Sequence, residues 1–252
     1  MLHLRPLPGS PLNDGQSIGD IEAVAKQEAE IYIEHGLDGV MVENMHDVPY
    51  SRKPDPASAA AMTRIACTLR NLCPPPMLLG VQVLSSRNEE ALAIAAAAGL
   101  DFIRAEGFVF AHIGDEGWCE ACAPELLRFR RSIEAQQVAI LADVKKKHSS
   151  HALTSDLSLG ETAKAVEFFL GDAVVVTGSA TGDPPSLSDL QEAKGASRLP
   201  VMLGSGITVE NAATFKEADA FIVGSTFKRH GDWKNALDIE RVADFMRVVE
   251  KL

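Results

Sequence analysis

Eight short apolar segments alternate with eight helical patterns along the chain, and this alternation constrains the fold more than any other feature of the sequence. Most of the apolar segments are runs of Val, Ile, Leu and Ala bounded by Gly, which is typical of strands buried on both faces. Strict strand–helix alternation predicts an α/β fold with a parallel sheet, and the count of eight favours a single closed (β/α)8 TIM barrel over an open doubly wound sheet. No G-x-G-x-x-G motif follows an early strand, which counts against a dinucleotide-binding sheet.

The predicted elements fit one domain over residues 1–252, because a typical TIM barrel has about 250 residues. The first strand is expected to be truncated, since residues 1–4 are followed at once by a loop rich in Pro and Gly. Strands are predicted over 1–4, 38–44, 77–84, 100–106, 138–145, 173–178, 201–204 and 221–224. Helices are predicted over 19–35, 55–72, 88–98, 123–136, 157–170, 187–194, 209–216 and 239–249.

Composition and charge exclude several classes of partner. The 24 basic and 35 acidic residues give a formal charge of −11, which argues against nucleic acid or an anionic membrane surface as a partner. No apolar run is long enough for a transmembrane helix, and no secretory signal opens the chain. Four cysteines fit a reducing compartment, so the chain is expected to be intracellular and soluble, in the cytoplasm or an organelle. Cys119 and Cys122 have C-x-x-C spacing, but without a second pair they are interpreted as ordinary thiols.

Two glycine-bearing turns follow the last two predicted strands. Glycine directly after a buried strand lets main-chain N–H groups approach an anion closely. Two such turns in succession near the C-terminus indicate the paired phosphate site after strands 7 and 8 of a TIM barrel. The alternative is that the glycines only make tight turns. The predicted phosphate-binding residues are Gly178, Gly204, Ser205, Gly206, Gly224 and Ser225.

Polar side chains collect at the predicted carboxyl ends of the strands, where TIM barrels hold their active sites. Because buried charges are costly unless they are paired, the whole set favours a binding or catalytic cleft. A structural network in which Arg104 pairs with neighbouring carboxylates is the alternative. The set comprises His3, Glu43, Asn44, Gln82, Arg104, Glu106, Asp143, Lys145, His148, Thr177, Ser205 and Ser225.

Asp143 and Lys145 form the sharpest local pattern. Alternate residues of a strand share a face, so the two side chains are expected to point the same way and to suit proton transfer beside a carbonyl. A desolvated Lys145 could also form a Schiff base, and a plain salt bridge is the alternative. Lys146 and Lys147 are expected to be solvated. The predicted catalytic residues are Asp143, Lys145, Glu43, Arg104, Glu106 and His148.

No cofactor is predicted, and a divalent metal is the alternative that stays open. His3, Glu43, Asp143 and His148 carry nitrogen and oxygen ligands for a divalent metal, but no tight spacing such as H-x-x-x-H supports a metal site. The loop over residues 107–122 is too long for a plain strand-to-helix connection, and loops of this length in compact domains are often functional.

Nine segments, in order along nearly the whole chain, resemble the BtpA/SgcQ family. The resemblance implies a barrel of the ribulose-phosphate-binding type. A cyanobacterial member is linked to accumulation of photosystem I, and enterobacterial relatives accompany sugar-uptake genes and carry a nucleoside triphosphatase label. The segments are 3–11, 42–49, 80–84, 101–104, 125–130, 140–148, 176–182, 204–211 and 222–228.

The chain departs from the bacterial members of that family at two places. Gln82 stands where they have Asn, and the segments 106–110 and 115–118 resemble the eukaryotic version of the loop. The departures weigh against a photosystem role, because an animal host has no photosystem.

Three functional hypotheses follow. The first is an isomerase, lyase or hydrolase that acts on a small phosphorylated metabolite by acid–base chemistry. The second is a non-enzymatic assembly or stability factor that binds protein through the apolar loop 108–110. The third is a nucleoside triphosphatase, although the chain lacks the G-x-x-x-x-G-K-[ST] motif that binds nucleoside triphosphates in P-loop proteins. A homodimer is the expected assembly, because barrel proteins commonly form symmetric dimers.

Overall fold

The computed structural model describes residues 1–178 and 183–252. The chain divides into two compact units, one formed by Met1–Arg104 with Leu126–Ala139 and the other by Ala105–Glu125 with Ile140–Leu252. The single domain over residues 1–252 stays a prediction.

In the first unit, four parallel strands lie side by side in sequence order and alternate with helices. Strand β1 has only two residues, as the sequence predicts, and one further bond from the Leu4 N–H to the Glu43 carbonyl, at 2.8 Å, continues its pairing with β2. The elements are β1 (Leu2–His3), α1 (Ile18–Glu34), β2 (Gly39–Glu43), α2 (Pro56–Leu72), β3 (Leu78–Gln82), α3 (Asn88–Ala98), β4 (Phe102–Ala105) and α4 (Ala123–Ser132).

Local sequence signals fix the helix ends in this unit. The Ser17 side chain accepts from the Asp20 N–H and the Asp20 carboxylate accepts from the Ser17 N–H, which is the capping box that starts α1. Asp55 caps α2, with Pro56 at the first helical position, as the sequence predicts. Gly99 ends α3 with a φ of 66°, a left-handed conformation that glycine adopts without steric cost.

In the second unit, four more parallel strands lie side by side in the order β7, β9, β10, β11. They are accompanied by a small antiparallel sheet in the order β6, β5, β8. The elements are β5 (His112–Gly114), β6 (Gly117–Cys119), β7 (Ala139–Val144), β8 (Ser149–Ser150), α5 (Leu159–Phe168), β9 (Ala173–Thr177), α6 (Leu187–Ala196), β10 (Val201–Gly204), β11 (Ala220–Ile222) and α7 (Ile239–Val249).

Two connections of the second unit differ from expectation. The long predicted loop 107–122 contains a β-hairpin, β5–β6, and β8 from the connection after β7 pairs with its first strand. The helix predicted over 209–216 is only a 3-10 turn, Ala212–Phe215. Before it, the Asn211 side chain accepts from the Thr208 N–H and donates to the Gly206 carbonyl. The eight parallel strands of the prediction are all present.

Candidate functional site

One row of polar side chains crosses the four strands of the first unit. His3 is paired with Glu43, and Glu43 with Gln82. Because Val81 is paired with Ile103, Arg104 occupies the same row on β4. Residues in one row of a parallel sheet point to the same face, and all four of these side chains are buried. The structure therefore brings the predicted residues Glu43 and Arg104 together with His3 and Gln82.

The row contains basic, acidic and uncharged polar side chains. His3 Nε2 lies 3.6 Å from Glu43 Oε2. Within the described residues, the amide oxygen of the buried Gln82 has no hydrogen-bond partner. A buried acceptor without a donor is costly, so the row can receive a donor group from a ligand.

Asn44, directly after the row, holds two strand ends in place. Its Oδ1 accepts from the Leu84 N–H at 2.7 Å, and its Nδ2 donates to the Leu84 carbonyl at 3.3 Å and to Asp47 Oδ2 at 3.2 Å. Asp47 in turn accepts from the Leu7 N–H at 2.7 Å, and burial raises the pKa of its carboxyl group. Asn44 and Asp47 are therefore positioning residues.

A buried lysine lies at the centre of the second unit's ionisable cluster. Lys146 is only 7% exposed, so the expectation that it is solvated is wrong. Its Nζ lies 3.3 Å from Glu106 Oε1 and 3.6 Å from Glu116 Oε2. Burial by itself lowers the pKa of this ammonium group, but the nearby carboxylates of Glu106, Glu116 and Asp143 reverse that effect and raise the pKa overall. Lys146 is therefore a cation at neutral pH.

Lys145 lies just beyond the end of β7 and lines the same small pocket as Asp143, so the expectation that the two side chains point the same way stays a prediction. Strand β7 ends at Val144, and Lys145 has a φ of 48°, which breaks the strand alternation. Its Nζ donates to the carbonyls of Thr154 at 3.0 Å and Leu157 at 2.8 Å. The catalytic role of Lys145 stays a prediction, and its observed contacts hold the connection between β7 and α5.

Beside Lys146 lies His112, which is 4% exposed. Burial is the largest of the effects that lower its pKa to about 4, and the positive charge of Lys146 adds to it. The His151 ring lies 5.4 Å away, centre to centre, and its Nε2 donates to the Lys146 carbonyl at 2.9 Å. A small pocket is lined in part by His112, Asp143, Lys146 and His151.

The lowered pKa of His112 predicts a stability loss in acid. The unfolded imidazole has a pKa near 6.5 and binds a proton before the folded one does, so stability is complete above that pH and falls as the pH drops toward 4. Between pH 7 and pH 4.5 we expect the wild type to lose about 2 kcal/mol more free energy of unfolding than His112→Gln, which cannot be protonated. Urea denaturation of both proteins at several pH values measures this difference, and parallel pH profiles would contradict it.

His148 is not part of the pocket lining. It is exposed and lies in the bend before β8. The four cysteines are thiols. Among the residues described, no group of three or more His, Cys, Asp or Glu side chains is arranged to hold a metal ion.

The predicted phosphate-binding turns follow the neighbouring strands β10 and β11, where Gly204 is paired with Ile222. Ser205 and Gly206 have φ angles of 76° and 69°, so the main chain turns in the left-handed region directly after β10. The Ser205 N–H donates to the Ile222 carbonyl at 3.3 Å. The two turns therefore start side by side.

The second turn consists of Gly224 and the 3-10 turn Ser225–Phe227. Thr226 Oγ1 donates to the Ile207 carbonyl at 2.6 Å, which ties this turn to the one after β10. The Thr226 carbonyl accepts from Arg241 Nε at 2.6 Å, which ties it to α7. Both turns are thus held by hydrogen bonds and not only by chain connectivity.

Gly178 and Gly206 both lie against the main chain of Asp183 and Pro184. A Cβ added to Gly178 would be 2.2 Å from the Asp183 carbonyl oxygen, and one added to Gly206 would be 2.1 Å from the Pro184 nitrogen. Only glycine permits this approach, so both positions require it for a reason beyond turn geometry. Residues 179–182, part of one segment that carries the family resemblance, lie outside the described residues.

The sequence model of the BtpA family matches residues 1–251. The chain belongs to the BtpA family. A Caenorhabditis elegans relative, named as mitochondrial, is 47% identical over 256 residues, covering 100% of this chain and 92% of the relative. The photosystem I biogenesis protein BtpA of Synechocystis is 39% identical over 252 residues, covering 99% of this chain and 86% of the relative.

Solved structures show what fold this BtpA-family chain has. Thiamine phosphate pyrophosphorylase from Pyrococcus furiosus is similar with a TM-score of 0.60 at 16% identity, covering 90% of this chain and 89% of that one. Phosphoribosyl anthranilate isomerase from Thermus thermophilus is similar with a TM-score of 0.58 at 13% identity, covering 90% and 94%. These likenesses confirm the predicted (β/α)8 TIM-barrel fold. In the described part of the BtpA-family chain, none of the helices has the length and apolar character needed to cross a membrane.

Sequence reasoning missed three members of the second unit's cluster, namely Lys146, His112 and Glu116. The only signal for the latter two was the long loop 107–122. Burial of Lys146 had no sequence signal in this BtpA-family chain, because Lys146 lies beyond the end of β7, after a residue with a positive φ.

Proposed function

We propose that this BtpA-family protein binds a small phosphorylated metabolite and acts on it by acid–base chemistry, as an isomerase, lyase or hydrolase. The observation that carries the proposal is the pair of tied, glycine-bearing turns at the ends of the adjacent strands β10 and β11. Turns of this kind direct main-chain N–H groups at an anion, and the corresponding turns of many TIM barrels bind phosphate. The phosphate would be held by residues 204–206 and 224–225, with Gly178 beside them.

The names of similar structures support a phosphorylated ligand. Two of those proteins are a thiamine phosphate pyrophosphorylase and a phosphoribosyl anthranilate isomerase. A third, KGPDC from Streptococcus mutans, was solved in complex with D-R5P and has a TM-score of 0.57 at 12% identity. At such low identity the likeness transfers no reaction to this chain, so the reaction class rests on the ionisable cluster.

The cluster around Lys146 supports acid–base chemistry. The Lys146 ammonium can stabilise negative charge that develops on a carbonyl oxygen, because its own carboxylate partners keep it protonated. Asp143 and Glu106 are buried carboxyl groups beside it and are the proposed proton-transfer residues. The proposal also includes the other residues predicted to be catalytic, namely Glu43, Arg104, Lys145 and His148.

Calorimetric titration with ribose 5-phosphate, ribose and inorganic phosphate tests the proposal. We expect ribose 5-phosphate to bind at least about tenfold more tightly than ribose, because the phosphate contributes charge-assisted hydrogen bonds that ribose cannot make. Equal and weak binding of the two sugars would refute phosphate recognition. Once a substrate is found, Asp143→Asn and Lys145→Ala should each reduce turnover, and unchanged rates would refute the assigned chemistry.

The assembly-factor role is a second candidate, favoured by the name of the Synechocystis relative. The expected binding surface is wrong, because Phe108 and Val109 are buried. Exposed apolar side chains lie instead at the end of α5, where Phe168 and Leu170 are 80% and 68% exposed. The test is to express variants of this chain in Synechocystis in place of its own BtpA relative. If assembly is the function, the double variant Phe168→Ser, Leu170→Ser should fail to replace the relative, and Gly206→Ala should succeed. The reverse result favours the enzyme. The homodimer and the cellular compartment stay predictions.

A further inference from the structure

A pocket lies in the second unit next to β5, the central strand of the small antiparallel sheet. Its lining includes Phe110, His112, Asp143, Lys146 and His151. The space is about 20 Å³, which holds one water molecule or one hydroxyl group. The pocket is polar, and it lies against the proposed proton-transfer residue Asp143.

The hydrogen bonds of His112, which lines this pocket, define which ring nitrogen can act as an acceptor. The ring donates to the Phe110 carbonyl. In the part of the chain that the structure describes, Nε2 is buried and has no hydrogen-bond partner. Nδ1 is therefore the donor, and in the neutral ring Nε2 carries the lone pair.

The surroundings keep His112 neutral. Burial opposes protonation most strongly and lowers the pKa of His112, the positive charge of Lys146 and the neighbouring His151 add to it, and Glu106 acts in the opposite direction. The ammonium group of Lys146 also disfavours a metal cation at this place. A neutral, buried acceptor of this kind requires a donor, and an unfilled one is costly.

We propose that His112 Nε2 accepts a hydrogen bond from one hydroxyl group of the bound metabolite, while the Lys146 ammonium donates to an oxygen beside it. The proposal rests on the proposed function and narrows its ligand to a hydroxylated, sugar-like phosphate. His112 is then a specificity-determining residue, because a ligand without that hydroxyl leaves Nε2 unsatisfied. A bound water molecule is the competing occupant of the pocket.

Two substitutions separate these occupants. His112→Leu removes the acceptor, and His112→Gln keeps an acceptor oxygen near the position of Nε2. By calorimetry, His112→Leu should weaken ribose 5-phosphate binding about tenfold while leaving inorganic phosphate within about twofold. His112→Gln should recover most of the loss. Equal weakening of both ligands, or of neither, overturns the proposal and favours a structural water.

The nitrogen-15 resonances of the His112 ring in the wild type give a second test that does not depend on the folding of a variant. At pH 7, Nε2 should be unprotonated, and its resonance should move when ribose 5-phosphate is added but not when inorganic phosphate is added. The proposal is overturned if Nε2 is protonated at pH 7. It is also overturned if ribose 5-phosphate binds and the Nε2 resonance does not move. If the wild type binds neither ligand, the proposed function itself fails and this inference fails with it.

Discussion

Lys146→Met should lower the free energy of unfolding by about 3–5 kcal/mol at pH 7, because it leaves buried carboxylates without their cation. The ammonium group of Lys146 lies within 4 Å of Glu106 and Glu116 and stabilises both charges. Methionine keeps the length of the side chain, so the cost comes from the uncompensated charge and not from a cavity.

The loss should shrink as the pH falls. Burial already raises the pKa of the Glu116 carboxyl group, and loss of the Lys146 cation raises it further, so this group becomes neutral in mild acid. Urea denaturation at pH 7 and pH 5 measures both effects. Lys164→Met, at an exposed position of α5, is the matched control and should change stability by less than about 0.5 kcal/mol. Equal effects of the two substitutions would show that the Lys146 cluster has no energetic role.

Gly206→Ala should weaken binding of ribose 5-phosphate by about 100-fold or more, because the methyl group cannot be placed without moving the turn. Its Cβ would be 2.1 Å from the Pro184 nitrogen and 2.3 Å from the Asp183 carbonyl carbon. The φ of 69° adds about 1 kcal/mol of strain for a residue that has a side chain. We therefore also expect a stability loss of about 2 kcal/mol.

Gly195→Ala is the matched control in the same unit. Gly195 is exposed within α6, and an added Cβ meets no atom within 4 Å. Alanine should therefore stabilise the protein by about 0.5–1 kcal/mol and leave binding unchanged. Calorimetric titration and urea denaturation of both variants give the comparison. Wild-type affinity in Gly206→Ala would mean that the turn after β10 does not bind the ligand.

The strand ends of the first unit were predictable because they depend on local signals. The apolar runs ending at Glu43 and Gln82, bounded by recognisable helix caps, place both residues at the carboxyl ends of β2 and β3. Parallel pairing then puts them in one row. The turns after β10 and β11 were predictable for the same reason, since glycine directly follows an apolar run.

The Lys146 cluster was not predictable from period-two alternation. Strand β7 ends at Val144 and Lys145 has a positive φ, so the alternation of the strand does not extend to Lys146, which is buried. His112 is paired with Cys119 in the β5–β6 hairpin, and β5 also pairs with β8, which is more than 30 residues away in sequence. No local pattern encodes pairing over that distance, and its register decides which side chains face the pocket.

The amide resonances of the two turns test the central claim most directly. During titration of the isotope-labelled wild type with ribose 5-phosphate, the N–H signals of Gly206 and Ser225 should shift together and saturate at one common affinity. Ribose should leave both signals unmoved, because it lacks the phosphate. Binding of ribose 5-phosphate with shifts confined to other residues, and none at these turns, would contradict the phosphate site and the function built on it.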